Sequence, residues 1–96
     1  MSKSMEYITL KINVIGRVQG VGFRWFSREQ AQDLDVNGSV KNLANGDVEI
    51  VAQGTEKQVW KFINNLREGP AFAQVLDLKI QEFEIDTEYN SFDVLF

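Results

Sequence analysis

The segment most suited to chemistry runs from Gly16 to Arg24, GRVQGVGFR, and holds three glycines within seven residues. An alternating strand pattern ends here and a helical pattern begins directly after it. The helix start has no Ser, Thr, Asp or Asn in the capping position, so its first amide N–H groups lack a side-chain partner. Free amides in a glycine-rich turn, together with the helix dipole, can bind an anion.

Arg24 strengthens this interpretation. A positive residue in the first turn opposes the helix dipole unless an anion binds between them. Its planar guanidinium can donate two hydrogen bonds to one phosphate group. Two structural alternatives remain open: Gly20 and Gly22 only make a tight turn, or Arg24 forms a surface ion pair with Glu29 or Asp33.

Composition excludes several classes of site. The 96 residues include no cysteine and no histidine, which rules out disulfides, thiolate or histidine metal sites and Ser-His triads. The net charge is −4, from 10 basic and 14 acidic residues. This sign disfavours nucleic-acid and membrane-surface partners. We therefore expect no metal, no cofactor and a cytoplasmic location, since a chain without cysteine fits a reducing compartment.

Hydrophobic periodicity predicts seven elements and one domain over residues 7–96, after a disordered lead-in at residues 1–6. In order, the elements are a strand at 7–14, a helix at 23–35 closed by Asn37-Gly38, a strand at 39–44, a strand with Val48, Ile50 and Ala52, a helix capped by Thr55 and Gln58 and stopped by Gly69-Pro70, a strand with Leu76, Leu78 and Ile80, and a last strand with Phe92, Val94 and Phe96. A two-residue turn at Asn45-Gly46 joins the second and third strands.

The order β-α-β-β-α-β plus a short C-terminal strand predicts a ferredoxin-like α/β sandwich of the α+β class. Two helices would share one face of a mainly antiparallel sheet, and polar residues such as Lys11 and Asn13 predict that the other face meets solvent. Phe83 and Ile85 continue the fourth strand in the opposite phase, which predicts a bulge near Gln81-Glu82.

Two ordered motifs match a known family. VIGRVQGVGFR at 14–24 resembles the acylphosphatase signature, and GSVKNLANGDVEIVAQG at 38–54 resembles that family's second motif. EGPAFAQV at 68–75 also fits. The resemblance covers the chain from about Tyr7 to Phe96.

The resemblance implies a small, metal-free hydrolase that cleaves the carboxyl-phosphate bond of acyl phosphates. We expect a monomer that acts on small-molecule acyl phosphates, and protein aspartyl phosphates remain an open alternative. If the loop amides and Arg24 hold the phosphate, free phosphate or sulfate should compete with the substrate. In the family the loop arginine and loop amides bind phosphate, and an asparagine orients the attacking water. Those roles fall on Arg24, on Asn42 and on the backbone of Gln19, Gly20, Val21, Gly22 and Phe23.

Alternatives remain for these assignments. Asn42 could be an ordinary strand residue near a turn. The fold could serve a phosphate-binding module without turnover, or bind RNA through its open sheet face, although the negative charge disfavours RNA. Ser39 departs from the family, which commonly has an aromatic residue there, and we expect altered packing beside Asn42.

Overall fold

The computed structural model describes residues 6–84 and 87–96 of the chain. The elements follow the predicted order. They are β1 (Tyr7–Arg17), α1 (Phe23–Asp33), β2 (Asn37–Asn42), β3 (Val48–Thr55), α2 (Glu56–Glu68), β4 (Gln74–Glu82) and β5 (Phe92–Val94). The predicted lead-in lies outside the described residues except for Glu6, whose carbonyl accepts a hydrogen bond from Glu56 N–H at 3.0 Å.

One five-stranded sheet, in the order β4-β1-β3-β2-β5, carries both helices on one face. Neighbouring strands are antiparallel except β2 and β5, which are parallel. This is the ferredoxin-like α+β arrangement predicted from the element order. Neither helix is long and apolar enough to cross a membrane, as far as the described residues extend.

The core lies between the sheet and the helices and uses one side of each alternating strand. Ile12 and Val14 of β1 are fully buried, and so are their partners in β3, Ile50 and Val48. The rings of α2 and β5 meet edge to face across the core, with 5.7 Å between the centroids of Phe62 and Phe92.

Helix α2 follows its predicted pattern closely. The Thr55 hydroxyl accepts from Gln58 N–H and the Gln58 side chain accepts from Thr55 N–H, which completes the predicted capping box. The helix stops at Gly69 as expected. Its four predicted core positions are all fully buried: Val59, Phe62, Ile63 and Leu66.

The end of α1 differs from the prediction. The helix predicted at 23–35 ends at Asp33, and the Asn-Gly pair at 37–38 begins β2 instead of closing the helix. The left-handed residue is Asp35, with φ 56°. The N–H groups of Asp35 and the next residue donate to carbonyls of the last turn at 3.4 and 2.9 Å, a Schellman motif. Because the helix closes early, β2 is shifted from the predicted 39–44 toward the N-terminus.

The β2–β3 turn is also longer than the predicted two residues. Leu43 N–H donates to Asp47 O at 2.9 Å, which closes a three-residue loop at 44–46. Gly46 N–H donates to Leu43 O at 3.2 Å, and Gly46 has φ 97°. The glycine therefore supplies positive φ at the third loop position, and Asn45 precedes it.

The predicted bulge is wrong in position. The register between β1 and β4 shifts at Ile15/Gly16, so Leu76 is the extra residue on β4, whereas the prediction was 81–82. Leu76 is 69% exposed, because the bulge turns it away from the core that the later apolar residues of β4 contact. Ile85, the other residue used for that prediction, lies outside the described residues.

The sheet face opposite the helices is partly covered. Phe83 N–H continues the β1–β4 ladder by donating to Thr9 O at 3.0 Å, and residues 87–89 lie over this face. Gln53 then donates through Nε2 to Thr87 O at 3.0 Å and accepts from Tyr89 N–H at 2.8 Å. The side chain of Gln53 is consequently buried on a face that the polar pattern predicted to be open to solvent.

Candidate active site

The glycine loop, residues 18–22, joins β1 to α1 at one end of the sheet. Val18 and Phe23 are each 1% exposed and anchor the loop in the core on both sides. Between them Gly20 and Gly22 take φ values of 74° and 78°. A Cβ at either glycine would meet no atom within 4 Å. The glycines are thus needed for backbone conformation and not to relieve crowding, and the loop backbone borders open space.

The amides of this loop have no protein partner in the described part of the chain. The N–H groups of residues 19–23 donate to no carbonyl or side chain there. Gly22 is the N-cap of α1 and offers no side-chain oxygen, and the first turn contains no acidic residue. Helix α2, in contrast, is capped by Thr55. The start of α1 therefore combines unpaired N–H donors with the positive end of the helix dipole.

Arg24 is held by the chain that follows β5. Its Nη1 donates to Leu95 O at 3.0 Å, and its guanidinium carbon lies 4.7 Å from the centroid of the Phe96 ring. Phe96 is 93% exposed and contacts Arg24, so it does not complete the apolar face predicted for the last strand. Arg24 forms no ion pair with Glu29 or Asp33, the partners of the structural alternative.

Asn42 lies at the same end of the sheet. It is the last residue of β2, it is exposed, and it faces the helix side like Val40, two residues earlier. Leu95 N–H donates to Val40 O at 2.8 Å. Leu95, whose carbonyl accepts the hydrogen bond of Arg24, is therefore bonded to β2 at Val40, two residues or about 7 Å before Asn42. Within the described residues the Asn42 amide makes no hydrogen bond.

The Gln19 side chain connects the glycine loop to the hairpin that follows Asn42. Its Nε2 donates to Leu43 O at 2.8 Å and to Asp47 O at 2.9 Å. The loop amides, the guanidinium of Arg24 and the amide of Asn42 are thus gathered at one end of the sheet.

A family model described as Acylphosphatase matches residues 10–94 of this chain. The chain belongs to the acylphosphatase family. The acylphosphatase of Oceanobacillus iheyensis is 44% identical over 86 residues, which cover 88% of this chain and 94% of that protein. The acylphosphatase of Archaeoglobus fulgidus is 44% identical over 89 residues, covering 93% and 99%. The crystal structure of the acylphosphatase from Bacillus subtilis has a TM-score of 0.89 at 35% identity, covering 93% of this chain and 99% of that one. The predicted family, fold and enzyme class are confirmed.

The two ion pairs found among the described residues lie on the sheet face opposite the helices. Glu49 lies 3.1 Å from Lys11 Nζ and 3.4 Å from Lys41 Nζ. Burial disfavours the charged form of Glu49, but the hydrogen bonds and charges of Lys11 and then Lys41 outweigh it, and the pKa of Glu49 falls below its ordinary value. No group of three or more acidic side chains suited to a metal ion occurs among the described residues.

The expectation for Ser39 needs correction. Ser39 pairs with Val51 on the sheet face opposite Asn42, since side chains alternate along β2. Its side chain therefore does not lie beside Asn42, contrary to the expectation from the sequence.

Sequence reasoning missed the contacts that hold the site together. It gave Gln19 a backbone role only and placed Phe96 in a strand. One signal was available for Gln19, because its long amide side chain sits in a loop otherwise made of glycine and valine and must find partners. Nothing local to the sequence relates Leu95 and Phe96 to Arg24, more than 70 residues away.

Proposed function

We propose that Arg24 and the amides of residues 19–23 bind the phosphate of an acyl phosphate and that Asn42 orients the water that attacks it. The observation that carries this proposal is the convergence of these groups at one end of the sheet, with Leu95 bonded to both Arg24 and β2. The uncapped start of α1 supplies donors and a positive dipole where the phosphate charge would lie. Arg24 adds a fixed positive charge to them.

Each group has a defined part in the reaction. The water oxygen attacks phosphorus, the bond between phosphorus and the acyl oxygen breaks, and the carboxylate leaves with the electron pair. The proton of the water passes to a phosphate oxygen, so no strong protein base is needed. Asn42 can accept a hydrogen bond from the water through Oδ1 and donate through Nδ2 to a phosphate oxygen in the transition state. Because acyl phosphate has a good leaving group, positioning and charge stabilisation supply the catalysis.

The same proposal covers the setting of the reaction. We expect the domain at 7–96 to act as a monomer in the cytoplasm on small acyl phosphates, without a metal. The chain has no histidine or cysteine to ligate one. Activity that is lost in EDTA and restored by a divalent ion would contradict the metal-free part of the proposal.

Hydrolysis of benzoyl phosphate by Asn42→Ala tests the assignment. Losing a group that acts in the transition state lowers kcat by about 10² to 10³. The inhibition constant of phosphate should stay nearly unchanged, because Arg24 and the loop amides remain. Asn45→Ala is the matched control, since Asn45 lies in the same hairpin and bonds only to Asp47 within the described chain. A folded Asn42→Ala protein with the parent kcat would contradict the role of Asn42.

A further inference from the structure

Both amide hydrogens of Gln19 are used to hold the hairpin between β2 and β3. Nε2 donates to Leu43 O at 2.8 Å and to Asp47 O at 2.9 Å. These two residues close the turn, because Leu43 N–H donates to Asp47 O. The Gln19 side chain therefore bonds to both sides of the hairpin, at Leu43 directly after Asn42 and at Asp47.

The hairpin does not need Gln19 to satisfy its own backbone. Leu43 O also accepts from Gly46 N–H at 3.2 Å, and Asp47 O also accepts from Leu43 N–H at 2.9 Å. Removing the Gln19 amide leaves neither carbonyl without a partner, so the turn can keep its shape. What the Gln19 bonds fix is the position of the turn relative to the glycine loop.

A second amide holds the hairpin from β1. Asn13 Nδ2 donates to Asp47 Oδ2 at 2.8 Å. This bond reaches the β3 side of the turn, where the chain is also paired with the centre of the sheet. The β2 side carries Asn42 and Leu43, and its connection to the glycine loop is through Gln19. Asn42 stays paired with Val48 of β3, so loss of Gln19 would loosen mainly the spacing between the glycine loop and the hairpin that carries Asn42.

We infer that Gln19 is a positioning residue, which acts through its side-chain amide to hold Asn42 in register with phosphate bound at the glycine loop. This inference rests on the proposed function and deepens it. It differs from the backbone role of Gln19, because an N–H group of the main chain persists when the side chain is replaced. It also predicts which kinetic constant changes. The loop is anchored by Val18 and Phe23, each 1% exposed, so its phosphate-binding amides should stay in place without the Gln19 side chain.

The test measures kcat on benzoyl phosphate and inhibition by phosphate for Gln19→Ala, Asn42→Ala and the double variant. A displacement of about 1 Å can lower a rate by roughly 10²-fold, so we expect kcat of Gln19→Ala to fall by about 10- to 100-fold with a nearly unchanged phosphate inhibition constant. The double variant should be no slower than Asn42→Ala alone, because residues that act through one another are not additive. Gln19→Met keeps the length of the side chain but has no N–H donors, so it should lower kcat by the same factor. It takes the place of Gln19→Ala if the shorter side chain disturbs folding.

Gln53→Ala is the matched control. Gln53 also donates two hydrogen bonds through Nε2, to Thr9 Oγ1 and Thr87 O at 3.0 Å each, but on the other face of the sheet. It should lower the melting temperature without lowering kcat. Losses that multiply in the double variant, or an equal loss of kcat in Gln53→Ala, would overturn the inference while leaving the proposed function intact. A parent protein that neither hydrolyses benzoyl phosphate nor binds phosphate would overturn both.

Discussion

Replacement of Arg24 tests the charge that meets the phosphate. The guanidinium has five N–H donors, and the structure commits Nη1 to Leu95 O at 3.0 Å. The guanidinium carbon lies 4.7 Å from the centroid of the Phe96 ring, a cation–π contact. Arg24→Ala removes the charge and the donors together. Arg24→Lys keeps a charge but loses the planar fork.

The expected magnitudes follow from these contacts. One preorganised donor of this kind contributes about 3 kcal/mol to the transition state, so kcat/KM of Arg24→Ala should fall by about 10² to 10³. Arg24→Lys should lose about tenfold, because the charge remains without bidentate geometry. Stability should change little. The bond to Leu95 is exposed and Phe96 is 93% exposed, so the two contacts together contribute about 1 kcal/mol, or roughly 4–8 °C in Tm for a domain of this size.

The assay is initial-rate hydrolysis of benzoyl phosphate, with phosphate inhibition measured on the same proteins. Arg28→Ala is the matched control, because Arg28 lies one turn along α1 and also stacks on an aromatic ring, 5.6 Å from the centroid of Trp25. Its activity should equal that of the parent. If folded Arg24→Ala kept kcat/KM and phosphate affinity near the parent values while the parent was active, the phosphate-binding role of Arg24 would be refuted.

Three further outcomes are expected. Phosphate at 100 times its Kd should stabilise the fold by about 2.7 kcal/mol at matched ionic strength, and a Tm that does not move would contradict the anion site. Gly38→Ala should lower the free energy of unfolding in urea by more than about 4 kcal/mol, because φ is 143° and a Cβ would overlap the Val51 carbonyl. In Gly20→Ala the new Cβ meets no atom, so the free energy of unfolding should fall by about 1 kcal/mol. Equal losses in the two variants would be evidence against this explanation. The pKa of Glu49 is lower in the folded protein than in the unfolded chain, so its ionisation stabilises the fold above the unfolded pKa, and this stability is lost as pH falls through the folded pKa. The free energy of unfolding that Glu49→Gln loses relative to the parent should therefore be largest near neutral pH and shrink in acid. A loss that does not change with pH would contradict the lowered pKa.

The candidate site residues could be chosen from the sequence, whereas the contacts around them could not. Arg24 and Asn42 belong to continuous motifs, and a charge that opposes a helix dipole is visible without coordinates. The contacts of Gln19 with Leu43 and Asp47 depend on how the hairpin folds back onto the loop. Since the side chain can meet either solvent or a carbonyl, only the tertiary structure decides which partner it finds.

Local errors arose where two residues competed for one conformation. The end of α1 offered Asp35 and the pair Asn37-Gly38 for the left-handed position, and intrinsic preference favours the glycine. The structure uses Asp35 because Gly38 is required elsewhere: β2 approaches β3 so closely at Gly38 that any Cβ would overlap the Val51 carbonyl. The prediction assigned Gly38 to a helix cap, whereas the close packing of β2 against β3 is what requires a glycine there.

The least predictable feature was the path of the chain after β4, and it has one cause. β5 is parallel to β2 at the outer edge of the sheet and β4 lies at the opposite edge, so a hairpin cannot join β4 to β5. Both helices lie on one face, and residues 87–89 of the connection lie on the other, where Gln53 bonds to Thr87 O and Tyr89 N–H. The same parallel orientation directs the end of β5 toward the end of β2, so that Leu95 reaches Arg24 beside Asn42. The strand order that covers the sheet therefore also completes the candidate active site.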